Sequence, residues 1–305
     1  MTYPGHNGQN YKRFDLLDLR YICFVIIPSK NKKNDFSINR YPYHRQVNLW
    51  TFCDDDADCS ISGANSGIGY ATSKVLADAS AEYHIIISGR NLANCDAALE
   101  EIKATGVKAS LSTLKIDVTK PDTIHAAAEK VEQEFGRLDV LINNAGLADT
   151  TLPGDPDLKT RLDTVLTTNV TGPALVADAF KPLLLKSKGA YSIYISSALA
   201  SLSGATDIKS PLYHSAYTIY RLSKSALNMW AIQEYKELKD KGVKVFIICP
   251  GLVRSNLRGK SEDMVSAGGR ATDPAVSGQT MLSIIQGKRD ADAGKFVHKD
   301  GIYDW

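Results

Sequence analysis

The chain has 305 residues, of which 44% are hydrophobic and 23% are charged, and its net charge is +2. Such a composition allows an α/β domain with a full core and excludes the strongly basic surfaces that bind nucleic acid or anionic membranes. The longest apolar run, YICFVIIP at 21–28, is far shorter than the roughly 20 residues that cross a bilayer. The five cysteines form no CxxC and have no histidine at metal-ligand spacing, so we expect a reduced, cytoplasmic protein without structural metal.

Two regions of different character follow each other along the chain. Residues 1–57 show no hydrophobic period, and we interpret them as an irregular N-terminal extension to a domain at 58–305. In that domain short apolar runs, predicted as strands, alternate with helix-length amphipathic segments, which predicts a single α/β domain with a doubly wound parallel sheet. The predicted strands lie at 84–88, 111–117, 138–143, 190–196, 243–249 and 294–298, and the predicted helices at 67–80, 92–105, 121–136, 158–187, 215–240 and 273–287.

A glycine-rich segment, SGANSGIG at 62–69, opens the first βα unit. Its glycines Gly63, Gly67 and Gly69 permit a sharp turn and a close approach of the backbone to a ligand, and the following helix turns its first N–H groups toward a pyrophosphate. Such a segment alone could be an ordinary tight turn. Its place at the start of an alternating domain favours a dinucleotide site.

The end of the next predicted strand indicates which dinucleotide. NAD-selective sites of this kind carry an acidic residue there, whereas this chain reads IIISGRN, with Gly89 and Arg90. An arginine can bind a 2′-phosphate with two hydrogen bonds, to which Ser88 and Asn91 could add others. A solvated arginine is the alternative, but the missing carboxylate and the present cation both favour NADP(H).

A tyrosine and a lysine lie one helical turn apart in YRLSK at 220–224. Tyr220 and Lys224 share a helix face, and a nearby cation lowers the pKa of a phenol toward the range that acid–base catalysis requires. Two other tyrosines are close, but Tyr213 is followed four residues later by Tyr217, and Tyr217 by Arg221. The spacing therefore favours Tyr220.

Seven motifs in this order resemble those of the short-chain dehydrogenase/reductase family over roughly 58–305. They are SGANSGIG at 62–69, DV at 117–118, NNAG at 143–146, TNVTG at 168–172, ISS at 195–197, YRLSK at 220–224 and PGLVRS at 250–255. The resemblance implies a Rossmann fold and NADP-dependent oxidoreduction of a carbonyl or alcohol. Two departures are conservative, since Ser62 and Ser255 stand where the family usually has threonine.

The resemblance also implies the site residues. Tyr220 would be the general acid, Lys224 would lower its pKa together with the oxidised nicotinamide, Ser197 would hydrogen-bond the carbonyl oxygen, and Asn169 would hold a water that links Lys224 to solvent. The implied cofactor-binding residues are Gly63, Ser66, Gly67, Ile68, Gly69, Arg90, Asp117, Val118, Asn144, Tyr220, Lys224, Pro250, Gly251, Val253 and Ser255. Ser196 competes with Ser197, but neighbouring residues of a strand face opposite sides and the family's pattern selects the second.

Two loops are expected to lie near the substrate. The first is longer than in compact members of the family, and the second is polar. Ser197 and Tyr220 are 23 residues apart, against about 13 in compact members, and the insert, GATDIKSPLYHS, is expected to shape substrate choice because it follows the carboxyl end of a strand. The second loop, about 255–271, suits a mobile lid. Its region carries Arg254, Arg258 and Lys260, which either contact an acidic substrate or form a solvated face.

The expected first strand is abnormal. A central parallel strand should be nearly all apolar, yet DDDADCSISG precedes the glycine loop. Either the strand is shortened to about CSIS, or the native protein starts differently and residues 1–57 include foreign material.

The predicted function is reduction of a small ketone or aldehyde by NADPH, or the reverse, with a place in secondary metabolism. Alternatives are a cofactor-binding protein whose catalysis is impaired by the first strand, and a lyase or isomerase. We expect a small-molecule substrate and neither a nucleic acid nor a membrane partner. The family's usual pairing of its two long helices predicts a homodimer or homotetramer, with Leu227, Trp230 and Ile232 either in that interface or facing the sheet.

Overall fold

The computed structural model describes residues 23–25 and 67–305. Their strands form one sheet in the order β3-β2-β1-β4-β5-β6-β7-β8. The strands are β1 (Cys23–Val25), β2 (His84–Gly89), β3 (Ser110–Lys115), β4 (Val140–Asn143), β5 (Ala190–Ile195), β6 (Val243–Ile248), β7 (Phe296–His298) and β8 (Gly301–Ile302). The helices are α1 (Ile68–Ala79), α2 (Leu92–Ala104), α3 (Pro121–Phe135), α4 (Leu158–Leu166), α5 (Gly172–Leu185), α6 (Leu202–Thr206), α7 (Thr218–Leu238), α8 (Glu262–Ser266) and α9 (Ala275–Ile285).

The parallel part of the sheet confirms the predicted doubly wound α/β fold. β2 pairs with β3, and β4, β5, β6 and β7 pair in succession, all in parallel. Every residue of β2, β4 and β5 is buried, as expected for strands covered by helices on both faces. The largest fully buried side chains include Tyr194, Phe180, Phe246 and Phe296, which belong to one continuous core around the sheet.

The central position of the sheet is filled in an unexpected way. β1 lies between β2 and β4 and runs antiparallel to both, with Phe24 opposite Leu141 and Val25 opposite Ile85. The strand comes from the segment that we expected to be irregular. The alternative first strand, CSIS at 59–62, lies outside the described residues, and the division at residue 57 stays a prediction.

The long helix predicted at 158–187 is interrupted. A π-helical turn at Thr167–Thr171 separates α4 from α5. Four of its five residues are β-branched and therefore poor helix formers, and the fifth, Asn169, turns its amide inward to bond the backbone of Leu147. The interruption thus comes with the burial of one predicted site residue.

The sequence left open whether Leu227, Trp230 and Ile232 face the sheet or an interface between subunits. Leu227 is fully buried and belongs to the core, and Ile232 packs against it, so both face inward. Trp230 is 39% exposed, and Leu222 and Met229 on the same helix are also exposed. None of the described helices is long and apolar enough to cross a membrane.

Candidate active site

A cavity of about 510 Å³ opens at the carboxyl edge of the parallel strands. Ile195 at the end of β5, Asn144 after β4 and Pro250 after β6 line it, and α7 adds Tyr220 and Lys224. Crevices at this edge are where open α/β sheets bind ligands. The fold therefore brings together the predicted residues of four separate chain segments.

Tyr220 and Lys224 lie on one face of α7, as their spacing predicts. Both side chains are buried, and the Lys224 Nζ lies 5.8 Å from the centre of the Tyr220 ring. The same Nζ donates a hydrogen bond of 2.7 Å to the carbonyl oxygen of Ile195. This bond fixes the lysine against the end of β5, below the cavity.

Burial is the main cause of the pKa shifts of Tyr220 and Lys224. It raises the pKa of Tyr220 well above its usual value, with a further rise from the Cys249 thiol, while a hydrogen bond with Ser197 and the charge of Arg258 oppose the rise. Burial also lowers the pKa of Lys224, to about 7. The expected lowering of the Tyr220 pKa by Lys224 is therefore not seen here; the opposing cation is Arg258.

Ser197 and Ser196 occupy different surroundings. The Ser196 hydroxyl is buried and donates 2.5 Å to Oδ1 of Asn228. Ser197 is partly exposed to the cavity, accepts a hydrogen bond of 3.3 Å from the Leu199 amide and bonds the Tyr220 hydroxyl. Two hydroxyl groups, Ser197 and Tyr220, thus meet at the cavity wall. The choice of Ser197 as the functional serine stays a prediction.

Of the two competing tyrosines, Tyr217 lines the cavity and Tyr213 does not. Tyr217 caps the N-terminus of α7 with a left-handed backbone (φ 69°) and lines the cavity. Tyr213 is 39% exposed and packs edge-on against His214, with ring centres 4.8 Å apart.

Asn169 is fully buried next to the lysine. Its Oδ1 accepts a hydrogen bond of 2.8 Å from the Leu147 amide. Its Nδ2 donates hydrogen bonds of 2.9 Å to the Leu147 carbonyl oxygen and to the Ser223 hydroxyl. Gly146 lies between the two groups, since a Cβ built on it would be 3.1 Å from the Lys224 Nζ and 3.6 Å from the Asn169 Oδ1. The amide's protein contacts make it a rigid support, and its predicted water relay stays a prediction.

The start of α1 provides the described part of the glycine loop. Gly67 caps the helix with φ 148°, and a Cβ there would meet nothing within 4 Å. Ile68 is partly buried and Gly69 is buried, and the first turn of the helix has no side-chain cap. A helix end with uncapped N–H groups beside the cavity suits the phosphates of a dinucleotide. Gly63 and Ser66 lie outside the described residues.

The adenosine end of the predicted site lies at the ends of β2 and β3. Asp117 is buried and its Oδ1 accepts hydrogen bonds from the Thr119 amide at 2.9 Å and hydroxyl at 2.7 Å. Burial lowers the pKa of Arg90, and the neighbouring Asp117 carboxylate opposes that effect. Arg90 is thus partly buried and close enough to Asp117 to interact with its charge. Val118, the residue after Asp117, is buried against Gly172, the first residue of α5.

The segment after β6 forms the opposite wall of the cavity. Pro250, Gly251, Val253 and Ser255 all line it, and Gly251 needs its positive φ of 83° for the turn. The Pro250 carbonyl accepts 3.0 Å from the Ser277 hydroxyl of α9, which holds the turn in place. Asn144 lines the same cavity, and the assignment of these residues to the cofactor stays a prediction.

Several cavity residues were not predicted. Cys249 is buried, and its Sγ accepts from the Ala198 amide at 3.1 Å and bonds the Tyr303 hydroxyl. Tyr303 reaches the cavity because the β7–β8 hairpin reverses the chain just before it. No motif that we used marks either residue. Cys249 directly follows β6, and the pairing of the last two strands brings Tyr303 beside it.

Taken together, these positions fit a nicotinamide dinucleotide. The helix end at Gly67 and the segment from Pro250 to Val253 line one crevice together with Tyr220. Arg90 comes directly after β2, where the adenosine end of the cofactor is predicted. Among the residues that the structure describes, no group of three histidine, cysteine or acidic side chains is placed to hold a metal ion. A doubly wound sheet with this crevice defines a nucleotide-dependent oxidoreductase.

Comparison with known proteins gives the family. Residues 59–266 match the family model described as short chain dehydrogenase. A short-chain dehydrogenase/reductase of Phoma sp, eupG, is 33% identical over 270 residues, which cover 80% of this chain and 96% of that protein. The chain belongs to the short-chain dehydrogenase/reductase family and is an oxidoreductase of that family.

Solved structures agree in fold. The NADPH-bound carbonyl reductase from chicken fatty liver is 26% identical with a TM-score of 0.65, covering 80% of this chain and 96% of that one. Carbonyl reductase Sniffer of D. melanogaster is also 26% identical, with a TM-score of 0.64 and coverage of 80% and 97%. A metagenomic short-chain oxidoreductase in complex with NADP is 25% identical, with a TM-score of 0.57 and coverage of 77% and 92%.

Proposed function

We propose that this enzyme uses NADPH to reduce the ketone or aldehyde group of a small molecule to an alcohol, or catalyses the reverse reaction. The observation that carries the proposal is the pair of hydroxyl groups, Ser197 and Tyr220, at the wall of a 510 Å³ cavity with Lys224 beneath them. The structural relatives named as carbonyl reductases support it.

The side chains divide the work. When bound, the cofactor supplies the hydride for the carbonyl carbon. The Tyr220 hydroxyl donates a proton to the carbonyl oxygen, and the raised pKa of this group keeps it protonated before the reaction. The Ser197 hydroxyl hydrogen-bonds the same oxygen and stabilises the charge that develops there. Lys224, held by the Ile195 carbonyl, would bind the ribose hydroxyls and supply positive charge below the phenol.

The choice of NADP over NAD rests on the end of β2. Gly89, Arg90 and Asn91 follow one another there, without a carboxylate for the ribose 2′-hydroxyl. The Asn91 side chain already caps α2, accepting 2.9 Å from the Ala93 amide. Arg90 is therefore the residue that we assign to the 2′-phosphate, and the NADP-bound relatives support this assignment.

Assembly, location and pathway complete the proposal. Leu222, Met229 and Trp230 leave an apolar strip on α7 that fits a homodimer or homotetramer interface. We assign the enzyme to the cytoplasm and to secondary metabolism. The competing function, a cofactor-binding protein without turnover, is favoured by the unusual central strand β1.

The deciding experiment replaces the proposed acid. Tyr220→Phe should lower kcat for a panel of aromatic and aliphatic ketones by about 10²- to 10⁴-fold, while NADPH affinity, measured by nicotinamide fluorescence, changes little. Tyr213→Phe is the matched control and should retain wild-type kcat, because that side chain is outside the cavity. Tight NADPH binding by a wild-type chain that reduces none of the panel would favour the binding protein instead.

A further inference from the structure

One guanidinium group is built into the cavity wall without an acidic partner among the described residues. Arg258 lines the cavity, and hydrogen bonds to three backbone carbonyl oxygens hold its guanidinium group. The Nε donates a bond of 2.9 Å to the carbonyl of Met264. The Nη2 donates a bond of 2.9 Å to the carbonyl of Val253 and one of 2.8 Å to that of Val265. Neutral carbonyl groups fix the direction of the guanidinium but do not neutralise its charge.

A neighbouring arginine, in contrast, has an acidic partner. Arg254, on the same loop, forms two hydrogen bonds of 2.9 Å with the Glu262 carboxylate and is thereby neutralised at the surface. No described carboxylate forms an ion pair with Arg258 or hydrogen-bonds it. Of the three arginines and lysines weighed from the sequence as contacts for an acidic substrate, Arg258 is the one that lines the cavity.

The charge of the whole cavity has one sign. Lys224, Arg258 and Arg270 line it, and no aspartate or glutamate is found among its described lining residues. Arg270 also uses a backbone carbonyl, donating 3.0 Å to Ala267. Grouping cations in a partly desolvated crevice is unfavourable unless an anion joins them.

The position of Arg258 places that anion at the substrate end. Burial lowers the pKa of Arg258, the phenol groups of Tyr217 and Tyr220 oppose this effect, and the charge of Arg270 lowers the pKa further. Its electrostatic neighbours are therefore the proposed proton donor and a second cation. The walls between them are apolar, formed by Leu199, Leu212, Leu252, Leu257 and Tyr303.

We propose that Arg258 binds an anionic group of the substrate, so that the preferred substrates are apolar carbonyl compounds that also carry a carboxylate. The proposal rests on the proposed function, because it assigns the substrate class of the same site. The three carbonyl bonds use Nε and Nη2, so the Nη1 group is the part of the guanidinium that can donate charge-assisted hydrogen bonds to a carboxylate, and an ester of the same shape loses the attraction between opposite charges.

The test compares acids with their methyl esters. An acetylbenzoate and phenylglyoxylate, each beside its methyl ester, are titrated into the NADP⁺-loaded full chain by calorimetry. In a separate assay with NADPH, the reduction of the same compounds is followed by the loss of NADPH absorbance. We expect the acids to be preferred by about 10- to 100-fold in Kd and in kcat/KM, the range for a hydrogen bond to a charged group. Arg258→Gln should abolish this preference, and Arg258→Lys should keep part of it.

The controls separate the possible roles of the residue. Arg254→Gln should leave the acid-to-ester ratio unchanged, because Arg254 already pairs with Glu262. A wild-type chain that binds acids and esters equally contradicts the proposal, and so does an Arg258→Gln variant that loses NADPH affinity but keeps the acid preference. Failure of the proposed function gives a different result, in which the acids bind selectively but no carbonyl is reduced.

Discussion

Glu234 is a buried carboxyl group that the proposed chemistry does not use. It lies between α7 and β5, where its Oε2 accepts 2.8 Å from the Ser192 hydroxyl and 2.9 Å from the Tyr194 hydroxyl. Burial raises the pKa of Glu234 to about 7, although both hydrogen bonds oppose the rise. The folded protein therefore binds a proton here at a pH where the unfolded chain has lost it.

We predict that this residue makes stability depend on pH. Its folded pKa of about 7 exceeds the unfolded value, so the free energy of unfolding falls as pH rises from about 4.5 to 7 and then levels off, with a slope of at most about 1.4 kcal/mol per pH unit. Glu234→Gln removes this titration. Denaturant unfolding should show the variant gaining about 2 kcal/mol relative to wild type between pH 5 and pH 8.

The control for this prediction is Glu129→Gln, an exposed glutamate on α3, because Glu129 is not among the groups that shift the pKa of Glu234. The difference in free energy of unfolding between this variant and wild type should stay constant from about pH 5 to pH 8. A Glu234→Gln variant that follows the wild-type pH profile would show that the buried carboxyl group does not titrate there.

Gly146 allows a second test at the scale of one residue. A Cβ at this position would lie 3.1 Å from the Lys224 Nζ, so alanine forces the ammonium group to shift relative to the Ile195 carbonyl that holds it. We expect Gly146→Ala to lower kcat by about 10-fold or more with little change in fold, since small misplacements of catalytic groups are costly. Gly189→Ala is the matched control, because a Cβ there meets nothing within 4 Å; equal kcat in the two variants would contradict the prediction.

Among the elements, the insert between Ser197 and Tyr220 depends on one arginine. The Nη1 of Arg221 donates hydrogen bonds of 2.9 Å to the carbonyl oxygens of Leu212 and Ser215. Both of these residues line the cavity. The arginine directly follows Tyr220 on α7, so the insert is tied to the same helix turn as the proposed acid.

We predict that Arg221→Met loosens this loop without removing the chemistry. The two bonds from a charged donor contribute about 2 kcal/mol or more to local order, so hydrogen exchange at 202–216 should accelerate by at least 10-fold and KM for bulky ketones should rise. The kcat for a small ketone should stay within a few-fold of wild type. Lys209→Met, an exposed position in the same insert, should change neither quantity.

The elements show how far sequence reasoning reaches. The buried strands β2, β4, β5 and β6 are nearly continuous apolar runs, and the Tyr220–Lys224 pair lies on one helix turn, so period and spacing predicted both. The break at Asn169, the position of Arg258 and the contact of Tyr303 with Cys249 depend on groups far apart in sequence. Local pattern contains no information on such contacts, so the break and the Tyr303 contact were missed, and the two alternatives for Arg258 stayed open.

For the whole molecule, the central strand is the least expected feature. β1 pairs on both sides, so each of its residues has neighbours in the middle of the sheet. The sequence pattern predicted a strand immediately before the glycine loop, because the family resemblance requires one there. The antiparallel strand from residues 23–25 replaces it in the described structure.

We predict that this strand contributes to stability through its backbone. Phe24→Pro removes an amide from the ladder opposite Leu141 and should lower the free energy of unfolding by about 3 kcal/mol, measured by denaturant titration. Phe24→Leu retains the amide and serves as the control. If proline and leucine have the same effect, or proline has none, residues 23–25 do not pair in the centre of the sheet in solution.

The pairing of β1 also has a consequence for the time course of folding. Ile85 and its partner Leu111 are joined by a short stretch of chain that includes α2, whereas Phe24 and Leu141 are more than a hundred residues apart. Contacts between distant residues form late, because a long loop must close first. The two halves of the sheet, β2–β3 and β4–β7, can therefore assemble while the gap between them is still open. Until β1 enters that gap, the nascent protein exposes two apolar strand edges, and this interval is when it is most prone to aggregate.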